Sequence, residues 1–332
     1  MVNLVFDEVF LEHKTFEGHP ESPERLKKLI ATLKNSEILD FINFLIPDYD
    51  YDLELLSLVH TKPYIDEFRT ACKKNEYFMH KDNSICSYSF DVAVRNVFAH
   101  FFAADYIVSN EPKKIFVAGR PPGHHADTNK ALGFCFFNNI ALVAKYLQKI
   151  HGVGKILIFD FDVHHGNGTQ NIFYEDDSVF YLSIHEHPTF LFPGTGRFFE
   201  KGKGAGSGFT RNIPLKPEAD DNDFGKVFLE KVVPAFYEFK PEILLVSAGF
   251  DGHKDDIIGD LRYSTSLYRK IGYALKYLSD KFCEGHLLVT LEGGYEPDIL
   301  SKCVLNFLDA LSDDKMIDVY DLFITDEIFG IF

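Results

Sequence analysis

The chain has 332 residues, 46% of them hydrophobic, with 34 phenylalanines and no tryptophan, which is enough apolar material for one large core or two small ones. A net charge of -16 argues against non-specific binding to nucleic acid or an anionic membrane surface, and no apolar run approaches the roughly 20 residues of a membrane span. The cysteines Cys72, Cys86, Cys135, Cys283 and Cys303 form no CxxC pair, so neither a disulfide framework nor a thiolate zinc knuckle is indicated.

The opening segment MVNLVFDEVF lacks a basic region of the kind that begins a signal peptide, and a cytoplasmic protein is expected. Val2–Phe6 reads as a first strand. Ser22 reads as an N-cap, with Pro23 opening a helix toward Lys34. Leu53–Val59 and Pro63–Cys72 read as short amphipathic helices, the polar stretch Phe78–Ser89 as loop, and Phe90–Val108 as a long helix. Ile115–Ala118 is a strand before the turn-rich Gly119–His125, and Asn138–Ile150 is a helix.

The stretch Ile156–Gly168, ILIFDFDVHHGNG, begins as an apolar run and ends in acids, histidines and glycines. Read as an extended strand, it places Asp160, Asp162 and His164 on one face, because strand side chains repeat with period two. Val179–Ile184 and Phe209–Ile213 follow as strands around a loop, Pro193–Gly208, with six glycines. That loop has no GK[ST] and opens no helix, so a phosphate cradle is disfavoured. Asp223–Glu238 and Ser266–Leu278 read as helices, Ile243–Ser247 and Leu287–Leu291 as strands, and Asp298–Leu311 as a last helix before a tail. Strands that alternate with helices predict a parallel sheet covered on both faces, in one domain over 1–332.

Four apolar strands end in polar or ionisable residues: RPPGHH (Arg120–His125), DFDVHH (Asp160–His165), SAGFD (Ser247–Asp251) and LEGGY (Leu291–Tyr295). Sites in open α/β sheets form at strand carboxyl ends, so these segments are expected to converge. Asp162, His164 and Asp251 make a ligand set of two carboxylates and one imidazole, which zinc accepts with a position left open. Oxygen-rich ligation also suits iron(II), cobalt or manganese. His124 and His125, adjacent and pointing apart, supply a base and an acid. Asp160 and Asn167 are candidate acceptors on their far nitrogens, and a carboxylate raises its histidine more than an amide does. Tyr295, after two glycines, can donate its phenol to an oxyanion.

With these motifs in place, the sequence resembles the zinc-dependent histone deacetylase superfamily, which includes acetylpolyamine amidohydrolases and bacterial deacetylase-like amidohydrolases. The resemblance runs from HPESPERL through RPPGHHA, GFCFFNN, DFDVHHGNGTQ, FPGTG and SAGFD to LEGGY. It implies an arginase-like α/β fold with one parallel sheet of eight strands. It implies zinc on Asp162, His164 and Asp251, with His125 as general base and acid, His124 as its electrostatic partner and Tyr295 as the hydroxyl that polarises the carbonyl.

By the same resemblance, Phe134 and Phe192 line an acyl-lysine tunnel beside Gly133, Asp82 holds the substrate backbone at the rim, and Arg25 lies near an inner acetate exit. One potassium ion is implied at Asp160, Asp162, His164 and Ser183, and a second on main-chain oxygens around Phe173, Asp176 and Val179. Asn167 replaces the aspartate of the nuclear class I members and agrees with class II and bacterial ones. In GHKDDIIGD, residues Gly252–Asp260, the acids and His253 are expected to be loop residues, and Leu261 is expected at the tunnel mouth.

The resemblance thus implies a hydrolase acting on acylated lysine in a peptide, with an acetylated polyamine as the alternative substrate. A homo-oligomer is compatible with it. A two-metal ureohydrolase would need a richer Asp and His cluster. A non-cleaving reader of acyl-lysine should lack a ligand or the tyrosine, and none is missing.

Overall fold

Short apolar runs become strands, and the stretches between them become helices, in the computed structural model, which describes residues 1–74 and 76–323. The strands among the described residues are β1 (Val2–Val5), β2 (Ile42–Leu45), β3 (Tyr77–Phe78), β4 (His80–Ser84), β5 (Lys114–Val117), β6 (Ile156–Asp160), β7 (Val179–Glu186), β8 (Thr210–Leu215), β9 (Ile243–Ala248) and β10 (Leu287–Leu291). The α-helices are α1 (Glu24–Lys34), α2 (Lys62–Ala71), α3 (Ser89–Ser109), α4 (Asn139–His151), α5 (Asn167–Ile172), α6 (Asp221–Val227), α7 (Val233–Phe239), α8 (Thr265–Phe282), α9 (Pro297–Ser312) and α10 (Val319–Phe323).

One sheet of eight strands runs in the order β2-β1-β5-β10-β9-β6-β7-β8, and every pairing in it is parallel. Every residue of β6, β7, β9 and β10 is buried, so both faces of its centre are covered. The four central strands, β5-β10-β9-β6, are the four that run into RPPGHH, LEGGY, SAGFD and DFDVHH. The topology therefore gathers four distant segments at one edge of the sheet.

Several elements differ from the sequence reading, each for a local reason. The strand before the acids stops at Asp160. The amides of Asp162 and His164 turn back onto the carboxylates of Asp160 (3.1 Å) and Asp162 (2.9 Å), so the ligands sit on an Asx-turned loop and not on one face of a strand. Helix α1 begins at Glu24 with Pro23 at the N-cap, and no side chain caps it, so Ser22 does not have the role expected of it. The segment read as loop at Phe78–Ser89 holds the antiparallel hairpin β3–β4, with Met79 turning at φ 62°. Its polar residues carry no alternation to betray it.

The half-buried β2 is likewise defined by pairing with β1 and not by pattern. Leu53–Leu58 forms a 3-10 helix capped by Asp52. The helix expected from Asp223 starts at Asp221 because Asp220 and Asp223 form a capping box. It then widens into a π turn at Phe228–Val232 just before Pro234, whose missing N–H breaks the α pattern. Helices α4 and α8 are capped by Asn138 and Ser264. Residues 324–332, the end of the tail and of the expected domain range, lie outside the described residues. Among the described residues, no helix is long and apolar enough to cross a membrane.

Helix α3 is tied to β10 through His100, which is fully buried and bonds Asn96 O and Thr290 Oγ1, both at 2.7 Å. Burial pushes this imidazole down to about 4 from 6.5. The unfolded chain therefore binds more protons between those pH values, and stability falls as pH drops through that window. A His100→Asn variant should be less stable than the parent at pH 7. Its deficit should shrink by on the order of 2 kcal/mol at pH 5, read from urea midpoints. An equal deficit at both pH values would remove His100 from this role.

Candidate active site

The loops after β6, β9 and β10 bring two carboxylates together in the interior. Asp162 and Asp251 are 1% and 0% exposed, and each is aimed by main-chain amides. Gly293 N donates to Asp162 Oδ2 at 2.8 Å and Val163 N to Asp251 Oδ1 at 3.0 Å. His164 Nδ1 lies 3.0 Å from Asp162 Oδ1 and 3.2 Å from Asp251 Oδ2. The latter approach has no hydrogen-bond geometry, and Asp251 Oδ2 is a buried oxygen without a donor.

One atom from each of the three residues falls within 4.8 Å of the others, and no other such cluster occurs among the described residues. Without a cation, burial and the charge of Asp162 push the Asp251 carboxyl up to about 7. Burial opposes the His164 cation, but the two carboxylates outweigh it and lift the imidazole to about 9. Two buried acids, an orphaned oxygen and an imidazole on one point form a donor set that fits a divalent cation. Glycine is required beside it: a Cβ on Gly293 would stand 2.0 Å from Asp251 Oδ2, and one on Gly249 2.1 Å from Asp162 Oδ2.

The two histidines after β5 have unlike surroundings. His124 Nδ1 lies 3.1 Å from Asp160 Oδ2, and the amides of Gly123 and His124 both donate to Glu292 Oε2. Burial disfavours its charged form, yet Asp160, Asp162 and Glu292 together raise it to about 10. His125 Nδ1 lies 2.8 Å from the amide oxygen of Asn167. Burial, then the neighbouring His124 and His164, hold it well below the ordinary histidine value. The surroundings thus favour the charged form of His124 and the neutral form of His125 beside it, with ring centroids 4.0 Å apart.

A cavity of about 260 Å³ opens over these groups. His125 and His164 form its floor with Tyr295, Gly133 and Phe134 line one side, and Phe192 and Ile258 complete the wall, with Asp82 at the mouth. The Phe134 ring meets Tyr295 edge-on at 5.7 Å, and Phe192 meets His125 at 5.1 Å. Gly133 takes φ 53°, and a Cβ there would lie 2.3 Å from His125 Cδ2. Burial pushes the Tyr295 phenol well above its usual value, so it is a donor at neutral pH.

A family model, Histone deacetylase domain, matches residues 19–311. The chain belongs to the histone deacetylase family. It is 37% identical over 296 residues to a "Probable deacetylase" of Archaeoglobus fulgidus, a match that covers 89% of this chain and 81% of that one. It is 35% identical over 314 residues to histone deacetylase 6 of Caenorhabditis elegans. That match covers 91% of this chain but only 32% of the larger protein, so the chain spans about a third of that relative. Among solved structures, the crystal structure of the HDA15 HD domain superposes with a TM-score of 0.88 at 31% identity, covering 97% of this chain and 93% of that one.

Within this deacetylase-family chain, the remaining expected positions are distributed as follows. Leu261 is not on the cavity: it is 2% exposed in the core, and Ile258 lines the wall in its place. The loop after Asp251 turns through Asp256, which accepts the amides of Ile257, Ile258, Tyr295 and Glu296 and so carries Ile258 forward. Asp255 is exposed, and His253 bonds Thr265 Oγ1 at 3.0 Å, so neither joins the ligand cluster.

Asp160 and Ser183 are register partners on β6 and β7. Asp160 also accepts from Tyr181 OH at 3.1 Å, and Ser183 bonds His185 Nδ1 at 2.7 Å. Phe173 is the C-cap of α5, Val179 begins β7, and Asp176 between them pairs with Lys145 at 2.6 Å. Arg25 is fully buried under the Tyr295 ring, 4.9 Å from its centroid, and its Nε donates to Gly294 O at 2.6 Å.

Residues without an assigned role in the sequence reading also support the site. Glu21, fully buried, pairs with Arg25, which lies on α1 beneath Tyr295, at 3.1 Å and with Arg120 of the RPPGHH segment. Glu292 joins the RPPGHH turn to Ser247 Oγ (3.1 Å), and burial raises it to about 7. The signal for Glu292 was present, an acid at the end of a buried strand.

Asp251→Asn should weaken divalent-metal binding by at least about 100-fold in calorimetry, since it removes a charged ligand and not a supporting group. Gly133→Ala should instead keep the metal and lose turnover, because its Cβ displaces His125. Metal loss in the glycine variant would contradict the separation of the two functions.

Proposed function

We propose that the chain is a metal-dependent amide hydrolase that removes acetyl, or another acyl group, from lysine side chains. One observation carries this reading: a cavity with aromatic walls ends on a neutral imidazole, a phenol donor and a cation-fitting triad. A slot between Phe134 and Phe192 suits the methylenes of a lysine and rejects its charged, unacylated form. Zinc is the ion favoured for Asp162, His164 and Asp251, with iron(II) or cobalt as alternatives; the ion when bound supplies Lewis acidity toward the carbonyl and acidifies water.

The chain's own groups do the rest. His125, neutral and oriented by Asn167, takes the proton from the attacking water. Tyr295 donates its phenol hydrogen to the carbonyl oxygen as negative charge develops there. The charge on His124 is stabilised by Asp160 and Glu292, and it offsets the anionic intermediate before the dyad returns a proton to the leaving amine. Asp82 at the mouth accepts the amides of the substrate backbone, and Gly133 lets the chain approach His125 closely. Potassium at Asp160, Asp162, His164 and Ser183, and at the turn Phe173–Val179, belongs to the same reading as a structural ion.

The alternative substrate is a small acetylated polyamine. Ile258 at the wall offers nothing to a second ammonium, and Asp82 at the mouth is engaged by substrate amides in this reading, which favours acyl-lysine. Zinc-loaded protein should show kcat/KM on an acetyl-lysine peptide at least about tenfold above that on N-acetylputrescine. Tyr295→Phe should lower kcat about 100-fold while metal content stays constant. A polyamine preference would overturn the substrate assignment, and full activity in the variant would overturn the role of the phenol.

A further inference from the structure

A second and larger depression, about 980 Å³, adjoins the tunnel and shares Asp82 with it. One wall is the segment Lys14–Phe16 ahead of α1, and the other is the β3–β4 hairpin with the residues flanking it. Phe16 and Tyr77, which both line it, are 57% and 47% exposed, and the buried Ile85 is also part of the lining. Large aromatic side chains this open to water on both sides of one groove are a feature of recognition surfaces.

The groove is joined to the tunnel by packing as well as by proximity. The Phe16 ring meets His19 at 4.8 Å, and His19 meets Phe134, the tunnel wall, at 4.8 Å. His19 Nε2 also lies 2.9 Å from the main-chain oxygen of Asp82, and Phe16 N donates to Ser84 Oγ at 3.1 Å. The two walls and the tunnel rim are thus one connected surface.

Its charge is balanced although the chain is not. Lys14 and Lys81 stand against Glu76 and Asp82, in a protein of net charge -16. A basic tail or a free polyamine gains nothing from a neutral groove, whereas an apolar side chain gains its burial.

Resting on the acyl-lysine reading above, we propose that this groove takes an aromatic or large aliphatic side chain next to the acylated lysine. The substrate class is then an acylated polypeptide with apolar neighbours.

The test compares two acetyl-lysine peptides, one with flanking phenylalanines and one with flanking lysines, on the zinc-loaded chain. The ratio of their kcat/KM values does not depend on the fraction of active protein. It should favour phenylalanine by about tenfold or more, fall toward unity in Tyr77→Ser, and invert in Lys81→Glu, where the groove becomes anionic. Kd values for the same labelled peptides, from fluorescence anisotropy, should give the same ratios. Turnover with no preference, or a preference that neither substitution moves, would overturn the groove and leave the hydrolase intact. Binding that keeps the preference without turnover would support the groove and remove the hydrolase reading.

Discussion

Two carboxylates that cannot both stay charged next to each other set the terms for the centre of this molecule. Asp162 and Asp251 lie in the interior, where like charges repel with little screening, and a divalent cation between them would resolve the conflict. The surrounding chain is arranged to hold them in that position. Main-chain amides of Val163 and Gly293 fix one oxygen of each, and glycines at 249 and 293 leave the room that any side chain would fill. The four central strands exist in this order so that the amides, the glycines and the acids meet at one edge.

Charge elsewhere in the site follows from that centre. His124 faces Asp160 and Glu292 and is held as a cation, whereas His125 faces a neutral amide and lies between two histidines. The same residue type is therefore pushed in opposite directions one position apart, by the carboxylates around His124 and by burial and the imidazoles around His125. Glu21 and its two arginines, Arg25 and Arg120, form a further buried ion cluster behind the tyrosine. Removal of one member would strand a charge in the interior, so the cluster acts as a rigid brace for the LEGGY turn.

Membership of the histone deacetylase family fixes the chemistry class, and the walls above the Asp162, His164 and Asp251 cluster are where members can diverge. Here those walls are Ile258 on one side, two phenylalanines across the tunnel, and a neutral aromatic groove beyond Asp82. These features bear on which substrate the cavity would admit, and they are separate from the groups at its floor.

Much of this was legible in the residues themselves. Apolar runs that end in DFDVHH, SAGFD, RPPGHH and LEGGY announce strands with reactive carboxyl ends, because burial and ionisation are incompatible over so short a span unless a site lies there. The difference between Asp160 and Asn167 as partners was readable for the same reason, since their charges are fixed by residue type. Pairing and packing decided the remainder. Strand β2 has no periodicity of its own and takes shape from β1, distant in sequence, while the β3–β4 hairpin is a local pairing whose polar residues carry no alternation. Asp162 and His164 look like strand residues until side-chain turns bend the chain at Asp160. Ile258, and not Leu261, reaches the tunnel because Asp256 gathers four amides and folds the loop forward, a geometry that depends on where Tyr295 already stands. Side-chain chemistry is a property of each residue, but which wall it faces is a property of the whole fold.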